Sequence, residues 1–271
     1  MIYGFVILAA GLICLVHFLT KVLPSLRGQR LLPLPAWTIP PGEFFLGAAA
    51  LAAAVMAVQI PVAGMVMEDR GLDEATAWDL FLLGSAFHLT ALAVYCFLRL
   101  NFPEQFALTG EKGQTRKWER AALAGGYAFL LAMPVIAVVT YGWKLLLRQL
   151  DITADRQETV LALVESESTA AFAAMFFLTV VVAPVTEELI FRGCLYRFMK
   201  SKLPALAAMA GSAALFAAMH QNLFAFVPLF ILGMLLALAY ERSGSLIAAI
   251  TLHALFNFNT VFTLFLFRAA V

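Results

Sequence analysis

Charge is scarce in this 271-residue chain. Lys, Arg, Asp and Glu together make up 13% of it, about half the share of an ordinary soluble domain. So little charge cannot cover a globule in water. The composition is 63% hydrophobic and the mean hydropathy is +0.90, which indicates an integral membrane protein. An excess of one sign is also missing: the net charge is +1, and no nucleic-acid footprint is visible. Cysteine is scarce as well. Cys14, Cys96 and Cys194 lie far apart in apolar runs and form no CxxC pair, so neither a disulfide framework nor a cysteine-ligated zinc site is indicated. Reduced, buried thiols remain. Residues 1 to 23 lack a basic leading region, which favours a first membrane helix over a cleaved signal peptide. The sequence holds no internal repeat and no second domain. It has no HExxH, so a zincin-type site has no support, and no Ser or Cys stands out as a nucleophile with a base of its own.

The apolar runs that are present have the length of membrane spans, about 20 residues. Eight are expected: roughly 2–23, 44–67, 78–98, 121–147, 169–199, 204–222, 224–240 and 245–267. The fifth is too long for a bilayer and is expected to project from it, and the seventh is short. The fold class is therefore all-α, a polytopic membrane bundle of about eight helices. The links include a Pro-rich one (PLPAWTIPPGE), an acidic one (EDRGLDEATAWD), a basic one (EKGQTRKWER) and an acidic amphipathic stretch (DITADRQETVLALVESES).

Lys and Arg set the orientation. The odd-numbered links carry twelve: Lys21, Arg27, Arg30, Arg99, Lys112, Arg116, Lys117, Arg120, Arg197, Lys200, Lys202 and Arg242. The other side carries Arg70, Lys144, Arg148, Arg156 and Arg268. With eight crossings the odd links are cytoplasmic and both termini lie outside.

One stretch breaks the apolar pattern. VTEELIFRG, residues 185 to 193, sets Glu187 beside Glu188 and follows with Arg192. Glu188 and Arg192 are four apart and share a helix face, so pairing would neutralise both. Neighbours on a helix point about 100° apart, which leaves Glu187 without a partner at i±4. An ionisable group inside a membrane is a functional-site hypothesis by default. The structural alternative is an ion cluster that only holds helices together.

Depth adds to the case. Glu187 lies 14 residues before a turn near Ser201 and His220 lies 19 after it, on the order of 20–28 Å along their helices. His253 and Asn257 enter from the same side near Ser243 and lie about 15–21 Å in. They are spaced i, i+4 and face the same way. Four polar side chains from three helices thus share one broad zone. His17 and His88, by contrast, are solitary in apolar helices and are expected to make only interhelical hydrogen bonds. A carboxylate near water with two imidazoles suggests activated-water attack on a carbonyl, with His and Asn donors on the oxyanion that results. Two His and one Glu are also a possible zinc-ligand set.

These residues resemble a known pattern. EELIFR (Glu187 to Arg192) matches the EExxxR motif of the CPBP family of CAAX proteases and bacteriocin-processing enzymes. FAAMH (Phe216 to His220) matches its FxxxH motif, and HALFN (His253 to Asn257) its HxxxN motif. The resemblance covers about residues 169 to 267 and implies an intramembrane glutamic-type endopeptidase. It implies that Glu187 activates water, that His220 helps to position it, and that His253 and Asn257 form the oxyanion site. Glu188 and Arg192 would brace the helices, and Phe216 opens the second motif. The implied mechanism needs no metal or other cofactor, with zinc as the alternative. The substrate would be a membrane protein or membrane-associated peptide. The expected setting is a bacterial cytoplasmic membrane, with residues 1–168 as accessory helices and 169–267 as the catalytic core of a single membrane domain. Two readings from other classes remain: a non-catalytic scaffold or immunity-type protein that keeps the fold, and a proton-coupled transporter, against which the absence of internal repeats counts.

Overall fold

A computed structural model describes residues 2–22, 24, 34, 37, 39–67, 75–103, 106, 118–152 and 168–268. The amphipathic stretch after residue 152, most of the basic link and much of the acidic and Pro-rich links lie outside the described residues. So do Arg27, Arg30, Arg70, Lys112, Arg116, Lys117 and Arg156 of the charge count.

The described chain forms helices and no strand. They are α1 (Ile2–His17, continued by a π-helical turn Phe18–Val22), α2 (Pro41–Met67), α3 (Ala77–Asn101), α4 (Trp118–Gln149), α5 (Thr169–Lys200), α6 (Ala205–Met219), α7 (Leu223–Ser243) and α8 (Leu246–Arg268). Seven are long and apolar enough to cross a membrane. The eighth, α6, has 15 residues, about 22 Å at 1.5 Å each. The expected short helix is thus the sixth and not the seventh, since α7 runs 21 residues. The reason is local. Pro204 precedes α6, and a turn at His220 and Gln221 closes it, with Gln221 in the left-handed region at φ 48°.

Caps define several ends. Thr76 and Asp79 form a reciprocal capping box at the start of α3, which satisfies two of the orphan N–H groups. Asn222 accepts from the Ala225 amide at 2.9 Å to start α7. Gly244, at φ 67°, ends α7 in the left-handed conformation that glycine adopts without a Cβ penalty.

α5 is the irregular element. It is α-helical over Thr169–Phe177, π-helical over Leu178–Val182, α-helical again over Ala183–Glu188, and π-helical over Leu189–Tyr196. Pro184 explains the first break. It has no N–H to give to the carbonyl one turn back, and its ring would crowd that carbonyl. The wider π turn relieves the crowding. Its hydrogen bonding is seen where the Ala183 amide reaches the Leu178 carbonyl.

The helices group into two compact units. The first comprises Met1–Ala36, Leu108–Arg156 and Phe191–Phe256; the second comprises Trp37–Ala107, Gln157–Ile190 and Asn257–Val271. In the first, α4 packs on α1 and α7, and α6 packs on α7. Glycine permits the closest of these approaches. A Cβ on Gly233 would meet the Ala213 Cβ at 2.8 Å and its Cα at 2.9 Å, so α6 and α7 touch almost backbone to backbone, as small residues allow in membranes. In the second unit α3 packs on α2 and on the first half of α5. Ala77, Ala171, Met175, Leu178 and Val261 form its buried cluster.

Candidate active site

In the first unit the centre is Phe216, which is fully buried. Its ring meets His220 at 4.9 Å between centroids, His253 at 5.6 Å and Phe191 at 5.4 Å, all edge to face. One aromatic ring therefore fixes both histidines expected from the sequence. His253 is buried at 2% exposure, and His220 is partly exposed at the end of α6. His220 Nδ1 lies 2.8 Å from the Phe216 carbonyl. A carbonyl oxygen only accepts, so Nδ1 carries the proton and donates. In the neutral ring Nε2 is then an acceptor.

Arg192 is fully buried in the same unit. Its Nη2 donates to the Gly233 carbonyl at 3.1 Å, and its guanidinium carbon lies 4.6 Å from the Phe216 centroid. It also lies in the second π-helical segment of α5. A π turn holds an extra residue, so the i, i+4 register assumed for an ordinary helix does not carry over unchanged. Ser212 Oγ donates to the Phe191 carbonyl at 3.1 Å, tying that segment to α6.

In the second unit, Glu187 and Glu188 occupy the short α-helical piece Ala183–Glu188. Glu188 is fully buried and Glu187 is half-buried. π-Helical segments recur at functional sites, and here one of five residues precedes and one of eight follows the two carboxyls. Asn257 Nδ2 donates to the Thr179 carbonyl at 2.9 Å, which joins α8 to the first π segment. An amide NH₂ has two hydrogens, so this bond engages one of them and the second remains.

The sequence reading passed over several residues. Glu241 is 3% exposed; it accepts from the Tyr196 hydroxyl at 2.7 Å and pairs with Lys200. Lys200 and Arg197 had been counted as link charges, yet Arg197 is 3% exposed. The signal was present: Tyr196 and Lys200 are i, i+4, and Glu241 interrupts the apolar run of α7. His17 has a partner in α4, its Nδ1 lying 3.3 Å from the Tyr127 hydroxyl. His88 is buried, its ring meets Phe87 edge to face at 5.0 Å, and its Nδ1 has no hydrogen-bond partner among the described residues. Among the described residues, no three His, Cys, Asp or Glu side chains converge as a metal-ion site.

Residues 169–259 match the family model described as type II CAAX prenyl endopeptidase Rce1-like. This segment is Rce1-like. The match runs from the start of α5 to Asn259 and takes in all three motifs, and the resemblance drawn from them is confirmed. No curated protein and no solved structure matches the chain. An Rce1-like segment carried on apolar helices supports an intramembrane endopeptidase in general, in an integral multi-pass membrane protein. The four helices before it lie outside the Rce1-like match.

Proposed function

We propose that this protein is a glutamic-type intramembrane endopeptidase that hydrolyses a peptide bond in a membrane protein or membrane-associated peptide. One observation carries the reading: within a segment that matches an endopeptidase family, the Phe216 ring orients two imidazoles, and one of them has Nδ1 committed to a carbonyl. A histidine so fixed presents Nε2 as an acceptor, which is what a water-positioning group requires.

The proposed steps follow from these roles. Glu187 takes a proton from water. His220 Nε2 accepts the other hydrogen of that water and sets its lone pair toward the substrate carbonyl. Oxygen adds to the carbonyl carbon, and the oxyanion formed is met by His253 and by the second amide hydrogen of Asn257. Collapse expels the amine, which leaves with the proton that Glu187 holds. Glu188 and Arg192 serve as the brace.

The test uses full-length protein in lipid nanodiscs and a set of internally quenched peptides, prenylated and unmodified. Wild type is expected to cleave at least one peptide and to keep full activity after thorough chelation. Glu187→Gln keeps size and hydrogen bonding but removes the basic site, and is expected to lose roughly 10²–10⁴-fold with melting unchanged. Substantial cleavage by the Gln variant overturns the assignment of Glu187. Activity lost on chelation and restored by zinc replaces it with a metal mechanism. No cleavage by wild type, with a partner protein co-purifying equally with both forms, favours the scaffold.

A further inference from the structure

One buried carboxylate has no part in the proposed steps. Glu241 on α7 is 3% exposed. One of its oxygens accepts from the Tyr196 hydroxyl at 2.7 Å, and the other pairs with Lys200. Stability alone gives little reason to keep it. A buried ion pair loses in desolvation most of what it gains in attraction, and apolar residues of similar size often serve as well or better. The best-attested use of such a pair is to fix a register.

The register concerned is that of α5. Arg192 and Tyr196 both lie in its second π segment, Leu189–Tyr196, and Lys200 lies one turn beyond. Arg192 grips α7 at the Gly233 carbonyl and Lys200 grips it at Glu241, with 41 positions between the partners in each case. α5 and α7 therefore run parallel and in step over this stretch. Tyr196, fully buried, adds a second bond to the same carboxylate. A π turn closes on the fifth residue and an α turn on the fourth. If the segment became α-helical, Tyr196 and Lys200 would turn about the helix axis relative to Arg192, and the two grips could not both be kept. π-Helix is rare beyond a single turn, so a segment of eight residues needs such fastening. From Arg192 the contacts run on to the site. Its guanidinium lies 4.6 Å from the Phe216 centroid, and that ring meets His220 and His253. All the residues in this chain of contacts belong to the first unit.

We infer that Glu241 is a positioning residue: with Tyr196 and Lys200 it locks α5 in its π register, and the lock keeps Arg192 on the ring that orients the two histidines. Glu241 is eight residues beyond Gly233 on α7, about 12 Å along the helix, and it acts through Arg192. The lock itself stands on the geometry, and its kinetic consequence rests on the endopeptidase reading.

Two measurements on full-length protein in nanodiscs test it. The variant exchanges the whole staple for apolar groups: Tyr196→Phe, Lys200→Met and Glu241→Met together, so that neither partner of the pair is left behind. The first measurement is independent of activity. The guanidinium proton shifts of Arg192, identified by their loss in Arg192→Lys, are recorded in wild type and in the triple variant. In wild type they carry the ring-current shift of Phe216, and in the variant they are expected to lose much of it. The same shifts in both proteins overturn the inference. The second is kinetic. The triple variant is expected to melt at the wild-type temperature or higher and to lose kcat about tenfold or more, the scale on which outer partners of a reactive group act, with KM unchanged. Glu241→Gln alone keeps an acceptor for Tyr196 and is expected to retain more of kcat. A purely structural staple would change melting and leave kcat in place, and that result also overturns the inference. If the triple variant does not fold, Tyr196→Phe, which removes one hydroxyl, takes its place with the same expectations. If the Arg192 shifts respond while wild type cleaves no peptide, the lock stands and the proteolytic reading is the one that fails.

Discussion

The Arg192 guanidinium sits 4.6 Å from the centroid of the Phe216 ring, so the arginine of one motif is seated on the aromatic ring of the next. The same ring orients His220 and His253. Stability and site geometry therefore pass through a single contact. Arg192→Ala is expected to lower stability by about 3–5 kcal/mol, as for breaking a buried charged contact. It takes away the cation over Phe216 and the donor to Gly233, and it removes a positive charge from a helix that buries Glu188 one turn earlier. Arg192→Lys keeps the charge but not the planar fork and is expected to fall between. Thermal melting of purified protein measures both, and unchanged melting for the Ala variant would show that the contact carries no stability.

Gly233 is predicted to tolerate no side chain. A Cβ there would meet the Ala213 Cβ at 2.8 Å and Cα at 2.9 Å, and a backbone atom cannot rotate away. Gly233→Ala is expected to destabilise by about 1–3 kcal/mol through overpacking. It should also shift the carbonyl that Arg192 holds, so activity falls with stability. Ala213→Gly in the same protein removes one of the two collisions and is expected to recover part of the loss. Melting curves of the single and double variants decide it; a neutral single variant would mean that α6 and α7 can separate freely.

Asn257 has one amide hydrogen on the Thr179 carbonyl and one for the proposed oxyanion. Asn257→Ala is expected to lower kcat about 10²–10³-fold, the range for removing one oxyanion donor. Asn257→Asp keeps the shape but replaces the donor with an acceptor, and is expected to be as inactive as the Ala variant. An active Asp variant would limit Asn257 to its helix-joining bond.

Sidedness is predicted from the charge count: both termini outside and the link around Gln114 in the cytoplasm. A Gln114→Cys variant lacking the three native cysteines is expected to resist a membrane-impermeant thiol reagent in intact cells and to label once the membrane is opened. Labelling from outside would reverse the assignment. A companion Cys at position 2 checks α6, because its 15 residues are few for a bilayer core of about 30 Å. Seven crossings would put the two ends on opposite sides.

Much was legible in the sequence because it is a matter of composition and spacing. Apolar runs of span length with few charges point to membrane helices, and each of the eight expected runs is a helix, seven of them long enough to cross. EELIFR, FAAMH and HALFN marked the segment that matches an endopeptidase family, because ionisable groups stand out where nearly everything else is apolar. The spacing of His253 and Asn257 was readable for the same reason.

Packing and backbone irregularity were not legible. Nothing in the letters says that Phe216 meets His253, that Gly233 brings α6 against α7, or that Lys200 and Tyr196 close on Glu241. Those contacts join residues far apart in sequence, and only helix packing sets which faces meet. His88 shows the limit most clearly. By composition it is one histidine in an apolar helix, and that alone predicts an interhelical hydrogen bond, yet its Nδ1 is buried without a partner among the described residues. The tertiary structure places its helix against the π-helical turn that Pro184 imposes on α5. The sequence determined which groups are costly to bury; only the fold decided which of them are buried together, because burial energy depends on neighbours and not on order along the chain.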